Sequence, residues 1–274
     1  MQILETCSWN NCMEIIDYYV KSAPSVQNAL DIFKGEWASK LPGELSLLNA
    51  GQSGLFDDSR VTWAVDQLGG VRGKHVLELG PLEAGHTYML EKLGAASIVA
   101  VESSTRAYLK CLIVKEIAGL RNARFVCGDC IEYLRLNPGK FDICFASGIL
   151  YHLTNPAELI GSIAKIADQV FIWTHYYDER IIRSTPYLDR RFPTKTSAEY
   201  QGFIHTLHRQ EYPEYTGEIK AAGFCGGSSR FSNWMSRAEI LSCLRHFGLT
   251  KMQTYFEQPD NPHGPSFAVV ATRT

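Results

Sequence analysis

The sequence predicts an α/β fold: a doubly wound, mostly parallel seven-stranded sheet with an N-terminal helical cap and a lid insertion. Three observations predict it. Between His75 and His175, short apolar runs alternate with helical stretches, the pattern of a parallel sheet covered by helices on both faces. The first of these runs ends in a glycine-containing turn, and the second ends in a lone Glu. Open α/β sheets place their ligand-binding chemistry at such carboxyl ends. The chain has 274 residues, 45% of them hydrophobic and 20% charged, enough for one large buried core.

Residues 1–70 are expected to form the helical cap. Apolar positions recur at helical spacing from Met13 to Tyr19 and from Val61 to Leu68. Phe56-Asp57-Asp58-Ser59-Arg60 supplies N-capping residues for the second helix, and Gly69-Gly70 ends it. The main domain then spans 71–274. Its strands are expected at His75–Leu79, Ser97–Glu102, Arg124–Cys127, Phe141–Ala146 and Gln169–His175. Helices are expected at Thr87–Leu93, Ser104–Ala118, from Ile131, and at Pro156–Ala167.

Residues 178–233 interrupt this rhythm. They are rich in Tyr, Phe, Pro, Gly, Arg and His, show no clean period, and are read as a lid or acceptor-binding insertion. Their aromatic content argues against disorder. A helix from Arg237 to Phe247, closed by Gly248, restores regularity. Lys251–Glu257 and Ser266–Thr272 then flank a Pro/Gly-rich turn as a terminal hairpin, which makes the last strand antiparallel.

Composition narrows the partners. The net charge of −2 does not favour nucleic acid as a substrate, since phosphate-backbone binders carry a basic excess. The exception is a local basic group at Arg190, Arg191 and Lys195. The first residues lack a basic segment followed by an unbroken apolar stretch, and no apolar run approaches the ~20 residues of a membrane span, so a cytoplasmic protein is expected. The eight cysteines are read as reduced thiols. The pairs Cys7 with Cys12 and Cys127 with Cys130 are not read as a zinc site.

Three features mark the carboxyl edge of the sheet. The first strand runs into Glu78-Leu-Gly80-Pro-Leu82-Glu83-Ala-Gly85-His86-Thr87, where Gly80 and Gly85 permit a tight turn and close backbone approach. His86 and Thr87 open the next helix, whose N-terminus offers unpaired N–H groups to a carboxylate. The second strand ends in Glu102-Ser103, with the Glu placed to accept hydrogen bonds from ribose hydroxyls. The third ends in Gly128-Asp129-Cys130, where Asp129 can accept from an adenine amino group. A dinucleotide fingerprint would need a third glycine at the position of Leu82, so a cofactor without a pyrophosphate is favoured over NAD.

On these residues the chain resembles the class I S-adenosylmethionine-dependent methyltransferases, over about residues 74–175 and more loosely at the C-terminal helix and hairpin. The resemblance implies S-adenosyl-L-methionine as methyl donor. It places the methionine part on Glu78, Gly80 and Gly85, the ribose on Glu102, and the adenine on Asp129 with Cys130. The stretch Ala146-Ser147-Gly148-Ile-Leu-Tyr151-His152-Leu153 matches the family segment that lines the transfer site. The chain departs from the family pattern at Leu82 and Ala84, where glycines are common.

Methyl transfer to a hydroxyl or ammonium group needs a base to take the proton. His175 and His152 are the candidates, with His175 preferred, and Tyr151, Tyr176 and Asp178 are expected to orient or contact the acceptor. Trp173, Tyr176, Tyr177, Phe203, Tyr212, Tyr215 and Trp234 are expected around an acceptor pocket. A divalent-metal grouping of His175, Asp178, Glu179, His205 and His208 is the weaker alternative, and no metal is expected. The favoured activity is methylation of a small molecule. The rivals are a tRNA-modifying enzyme, to which Gly148-Ile-Leu-Tyr151-His152 is similar, and a non-catalytic S-adenosylmethionine-binding protein.

Overall fold

The computed structural model describes residues 15–212 and 226–274. Cys7, Cys12, Met13 and Tyr215 lie outside the described residues. The elements run α1 (Val26–Leu30), α2 (Ser59–Gln67), β1 (His75–Leu79), α3 (Gly85–Lys92), β2 (Ser97–Glu102), α4 (Thr105–Ile117), β3 (Ala123–Cys127), α5 (Cys130–Arg135), β4 (Phe141–Ser147), α6 (Pro156–Ile166), β5 (Ala167–His175), α7 (Glu179–Ser184), α8 (Pro186–Asp189), β6 (Thr194–Tyr200), β7 (Phe203–Glu211), β8 (Phe231–Trp234), α9 (Arg237–His246), β9 (Lys251–Gln258) and β10 (Ser266–Thr272).

The main sheet has seven strands in the order β3-β2-β1-β4-β5-β10-β9, with β1 to β5 parallel and β10 antiparallel to both of its neighbours. The order reverses between β2 and β4, on either side of β1, which is where such sheets bind ligands. Two apolar layers cover the sheet. Leu77, Leu79, Ile172 and Phe267 pack under α6 and α9 on one face. Val76, Phe145, Phe171 and Val270 pack under α2, α3 and α4 on the other. β1, β2, β4, β5 and β10 are buried over most of their length, so they read as continuous apolar runs, whereas edge strand β9 is largely exposed.

The helical cap is less regular than expected. Among the described residues of the Met13–Tyr19 run, Ile15–Tyr18 form a 3-10 turn whose Ile15, Ile16 and Tyr18 are exposed. β-branched Ile15 and Ile16 favour extended backbone, and Pro24 limits extension toward α1. Two further 3-10 turns, Asp31–Phe33 and Gly43–Leu47, carry the chain across the sheet. Leu30, Phe33, Trp37, Leu41 and Phe56 sink into the second layer.

The described part of the insertion, residues 178–212 and 226–233, is regular, which corrects the sequence reading there. β6, β7 and β8 form a three-stranded antiparallel sheet. The inward face of β7 carries Phe203, His205 and Leu207, and buried His208 and Gln210 follow. Polar residues at buried positions hide the period-2 signal. The hairpin packs on α6 and α9 through Tyr200, Phe203 and Leu207. Glu239 of the α9 capping box accepts from Thr206 N. Among the described residues, no helix is long and apolar enough to cross a membrane.

Candidate active site

At the end of β1, Glu78 is buried, and burial pushes its carboxyl up from the ordinary range. Thr87, from the first turn of α3, donates its hydroxyl to Glu78 at 2.5 Å. Thr87 is itself fully buried, so its hydroxyl orients Glu78. The loop that follows keeps the glycine conformation without the glycines. Gly80, Leu82 and Ala84 have φ of 70°, 54° and 61°. A left-handed residue other than Gly costs roughly 1–2 kcal/mol, so the two departures from the family pattern store strain.

Three contacts hold this loop. Leu82 N donates to Glu102 Oε2 at 3.0 Å, while Ser104 N donates to Glu102 Oε1 at 2.8 Å. Burial raises the Glu102 carboxyl, against the lowering effect of these N–H groups. Glu83 turns the other way. It accepts from Ala38 N at 3.0 Å and Ser39 N at 2.8 Å, and it pairs with Lys110 Nζ at 3.0 Å. Lys110 also donates to Glu36 O at 2.5 Å. Third, Gly85 lies against Leu55: a Cβ there would meet Leu55 O at 2.5 Å. The close approach expected at Gly85 is therefore made by the chain itself.

His86 reaches back to the cap, with Nε2 2.9 Å from Asp58 Oδ2. Asp58 caps α2 by accepting from Arg60 N and binds the Arg60 guanidinium through Nε and Nη2. Burial works against these contacts, yet the His86 and Arg60 hydrogen bonds hold the Asp58 carboxyl far below the usual carboxylate range.

At the end of β3, Asp129 Oδ1 accepts from Ile131 N and Glu132 N as the cap of α5. Oδ2 makes no hydrogen bond among the described residues. Ser103 is exposed. Cys130 turns into the core, where burial pushes its thiol up to about 12. A cavity of about 230 Å³ opens beside Asp129, with Ile131, His152, Asn155 and Ser228 in its wall.

β4 and β5 run side by side, with Ser147 opposite Trp173. That register delivers Tyr151, His152, Trp173 and His175 to one place. The Tyr151 ring lies 4.1 Å from His152 and 4.6 Å from His175 between centroids. His175 lies 5.2 Å from Trp173 and stacks on Trp234 of β8 at 5.4 Å and 10°. Gly148 faces this group: a Cβ there would sit 3.8 Å from both the Tyr151 hydroxyl and the Trp173 ring.

His175 Nδ1 lies 2.6 Å from Gly264 O. A carbonyl can only accept, so Nδ1 carries the hydrogen and Nε2 of the neutral ring carries the lone pair. Burial pushes His175 down to about 4. The same cause pushes His152 down to about 3, and its Nδ1 is 2.9 Å from the Tyr212 hydroxyl. Both rings are neutral at neutral pH.

The other expected residues separate. Asp178 caps α7, accepting from Arg180 N and Ile181 N, and does not face the pocket group. Tyr176 packs on Phe267, and Phe203 stacks on His205, both in the core. Tyr177 stacks on His208 at 3.5 Å and donates to Glu179. Consequently the metal grouping does not assemble: among the described residues no three His, Cys, Asp or Glu side chains could hold an ion. Sequence reasoning missed Glu83, Lys110, Arg60 and Gly264. The signal available for Glu83 was an acid inside a glycine turn, and for Lys110 a cation one turn from the apolar positions of α4.

β8 fixes the pocket wall to the turn after β4. Asn233 N donates to Leu153 O at 2.8 Å, Asn233 Nδ2 to Thr154 O at 2.7 Å, and Trp234 Nε1 to Tyr151 O at 3.0 Å.

Residues 77–169 match the protein-family model described as a methyltransferase domain. A comparison with curated protein sequences found no match. Among solved structures, the N-terminal domain of EvdMO1 with SAH bound superposes with a TM-score of 0.69 at 20% identity, over 91% of this chain and 95% of that one. The same domain crystallised in the presence of SAH and D-fucose gives 0.68 at 21%, with the same coverage. Against the longer chain of the EvdMO1 crystal structure, the match covers 47% of that chain. Magnesium protoporphyrin IX methyltransferase from Synechocystis PCC 6803, with SAH bound, gives 0.53 at 16%, over 79% of this chain and 81% of that one. The matched methyltransferase domain runs from β1 into the first residues of β5, and the sheet around it has the fold of the class I S-adenosylmethionine-dependent methyltransferases.

Proposed function

We propose that the protein transfers the methyl group of S-adenosylmethionine to an oxygen or nitrogen nucleophile of a small molecule, with His175 as the base. The observation that carries this reading is the Nδ1–Gly264 hydrogen bond of 2.6 Å, at the carboxyl end of β5. It leaves the second nitrogen of the ring as a proton acceptor, on an imidazole packed among Tyr151, Trp173 and Trp234.

The donor and acceptor groups at the strand ends suit the methyl donor. Glu102 would take the ribose hydroxyls on the lone pairs left by its two backbone contacts. Asp129 Oδ2 would take the adenine amino group, with the base in the cavity beside it. Glu78 and the loop from Gly80 would hold the amino-acid end, which gives the buried Glu78 carboxylate a cation to face. When bound, S-adenosylmethionine supplies an electrophilic methyl on a sulfonium.

The chain's own residues align, desolvate and accept a proton. As an acceptor O–H or N–H becomes a nucleophile, its proton passes to His175 Nε2, and the Gly264 carbonyl stabilises the imidazolium that forms. Burial disfavours that charge, so His175 returns its proton to solvent once the product leaves. Tyr151 and His152 shape the acceptor pocket, and β6 to β8 form its outer wall. A small-molecule acceptor is supported by the aromatic rings gathered around His175 and by the EvdMO1 domain, crystallised in the presence of SAH and D-fucose. The test is S-adenosylhomocysteine release from S-adenosylmethionine across a panel of small hydroxyl and amine compounds. Release that depends on the added compound supports the reading. Binding of S-adenosylhomocysteine with no release for any compound would instead favour a non-catalytic binder.

A further inference from the structure

We infer that Arg60 binds an oxygen of the acceptor, and that this acceptor is a neutral, hydroxylated small molecule. The inference rests on the proposed reading that the Tyr151–His175 pocket takes the acceptor.

Arg60 belongs to the cap, yet its guanidinium lies over the Trp173 ring, 4.4 Å from its centroid. Trp173 is a wall of the pocket, in edge contact with both His175 and Tyr151. Asp58 fixes the guanidinium from one side only. Nε is 2.9 Å from Oδ1, and Nη2 is 2.5 Å from Oδ2. Among the described residues Nη1 has no hydrogen-bond partner, and the side chain is 22% exposed. Ring stacking and the carboxylate together immobilise the group before any ligand arrives, so its remaining N–H donors are preorganised.

The charge balance selects the ligand. Asp58 neutralises Arg60 at contact distance, and the two histidines of the pocket are neutral at neutral pH. A carboxylate or phosphate beside Arg60 would meet a guanidinium already neutralised by Asp58, which offsets little of its lost hydration. A hydroxyl would lose far less hydration and would gain an Nη1 hydrogen bond. The rings of Tyr151, His152 and Trp173 complete the surroundings, with Gly148 lying against Tyr151 and Trp173.

The test uses the full chain with saturating S-adenosylmethionine and two sets of acceptors. D-fucose and other neutral polyols form one set, and hydroxy-carboxylates of the same size form the other. The inference expects S-adenosylhomocysteine release only with neutral members. It also expects Arg60→Lys to raise KM for the active acceptor at least tenfold, with a smaller change in kcat and unchanged S-adenosylhomocysteine affinity. Arg60→Gln, checked for folding by its thermal transition, should behave alike. Turnover confined to carboxylates, or no turnover with any neutral compound, overturns the ligand class. An unchanged KM in both variants, or kcat and cofactor affinity falling together, overturns the role of Arg60 and leaves it a structural contact. S-adenosylhomocysteine binding to the wild type separates these failures from failure of the methyl-transfer reading itself.

Discussion

Replacing Lys110 with Met tests how the cap is joined to the cofactor loop. Lys110 Nζ sits 3.0 Å from Glu83 Oε1, with the two side chains 6% and 1% exposed. The Lys110→Met change keeps most of the stem volume packed near Phe33 and Trp37 and removes only the charge. Removing one partner of a buried pair typically costs about 3–5 kcal/mol, because the other charge is left uncompensated. Ala38 N and Ser39 N still solvate Glu83, which puts the expected loss at the low end, about 3 kcal/mol. For a chain of 274 residues that corresponds to a drop of about 5 °C in Tm. Urea titration and thermal melts of the wild type, Lys110→Met, Glu83→Gln and the double variant measure it. The double variant should recover much of the loss, since no unpaired charge remains. A loss under about 1 kcal/mol for Lys110→Met, or a double variant as poor as the sum of the singles, refutes the pair's assigned role.

Three further outcomes are expected. His175→Ala should lower the single-turnover rate by ~10²–10⁴ while S-adenosylmethionine affinity stays nearly intact, and His152→Ala should lower it less; equal rates for both variants and the wild type remove the base. His175 is held at about 4, below its unfolded value near 6.5, so the unfolded chain takes up this proton first. Its contribution is therefore complete above about pH 6.5 and is lost as pH falls toward 4, by about 3 kcal/mol in all. The stability gap between wild type and His175→Asn should shrink across that window, a comparison that cancels the opposite effect of raised Glu78 and Glu102. At Leu82, with φ of 54°, Leu82→Val should be less stable than Leu82→Gly despite its larger side chain, because β-branching is the worst fit to a left-handed backbone. The reverse order of Tm values would show that the loop is not strained there.

The central sheet was legible because its inner strands are apolar on both faces and the carboxyl ends of β1 to β4 are each marked by a glycine or an acid. Glu78, Gly80, Glu102 and Asp129 fall at one edge for that reason alone. The β6–β8 sheet was not legible, because His205, His208 and Gln210 occupy buried positions that a pattern reading assigns to solvent. Nor could the cap contacts be read. Glu83 meets Ala38 and Ser39 some 45 positions earlier in the chain, and no local signal encodes that distance. The tautomer of His175 depends on Gly264, 89 residues further on. Strand endings are local, whereas the second set of contacts to a site is tertiary.

Calorimetric titration of S-adenosylmethionine into the wild type and Glu102→Ala tests the central claim most directly. Glu102 is buried at the end of β2, and its oxygens are the ones assigned to the ribose. Losing one or two charge-assisted hydrogen bonds, roughly 1.5–3 kcal/mol each, should weaken binding at least tenfold in a variant that keeps its fold. The wild type should show one site, and the variant that loss. No binding to the wild type, or equal affinity in a folded Glu102→Ala, would contradict it.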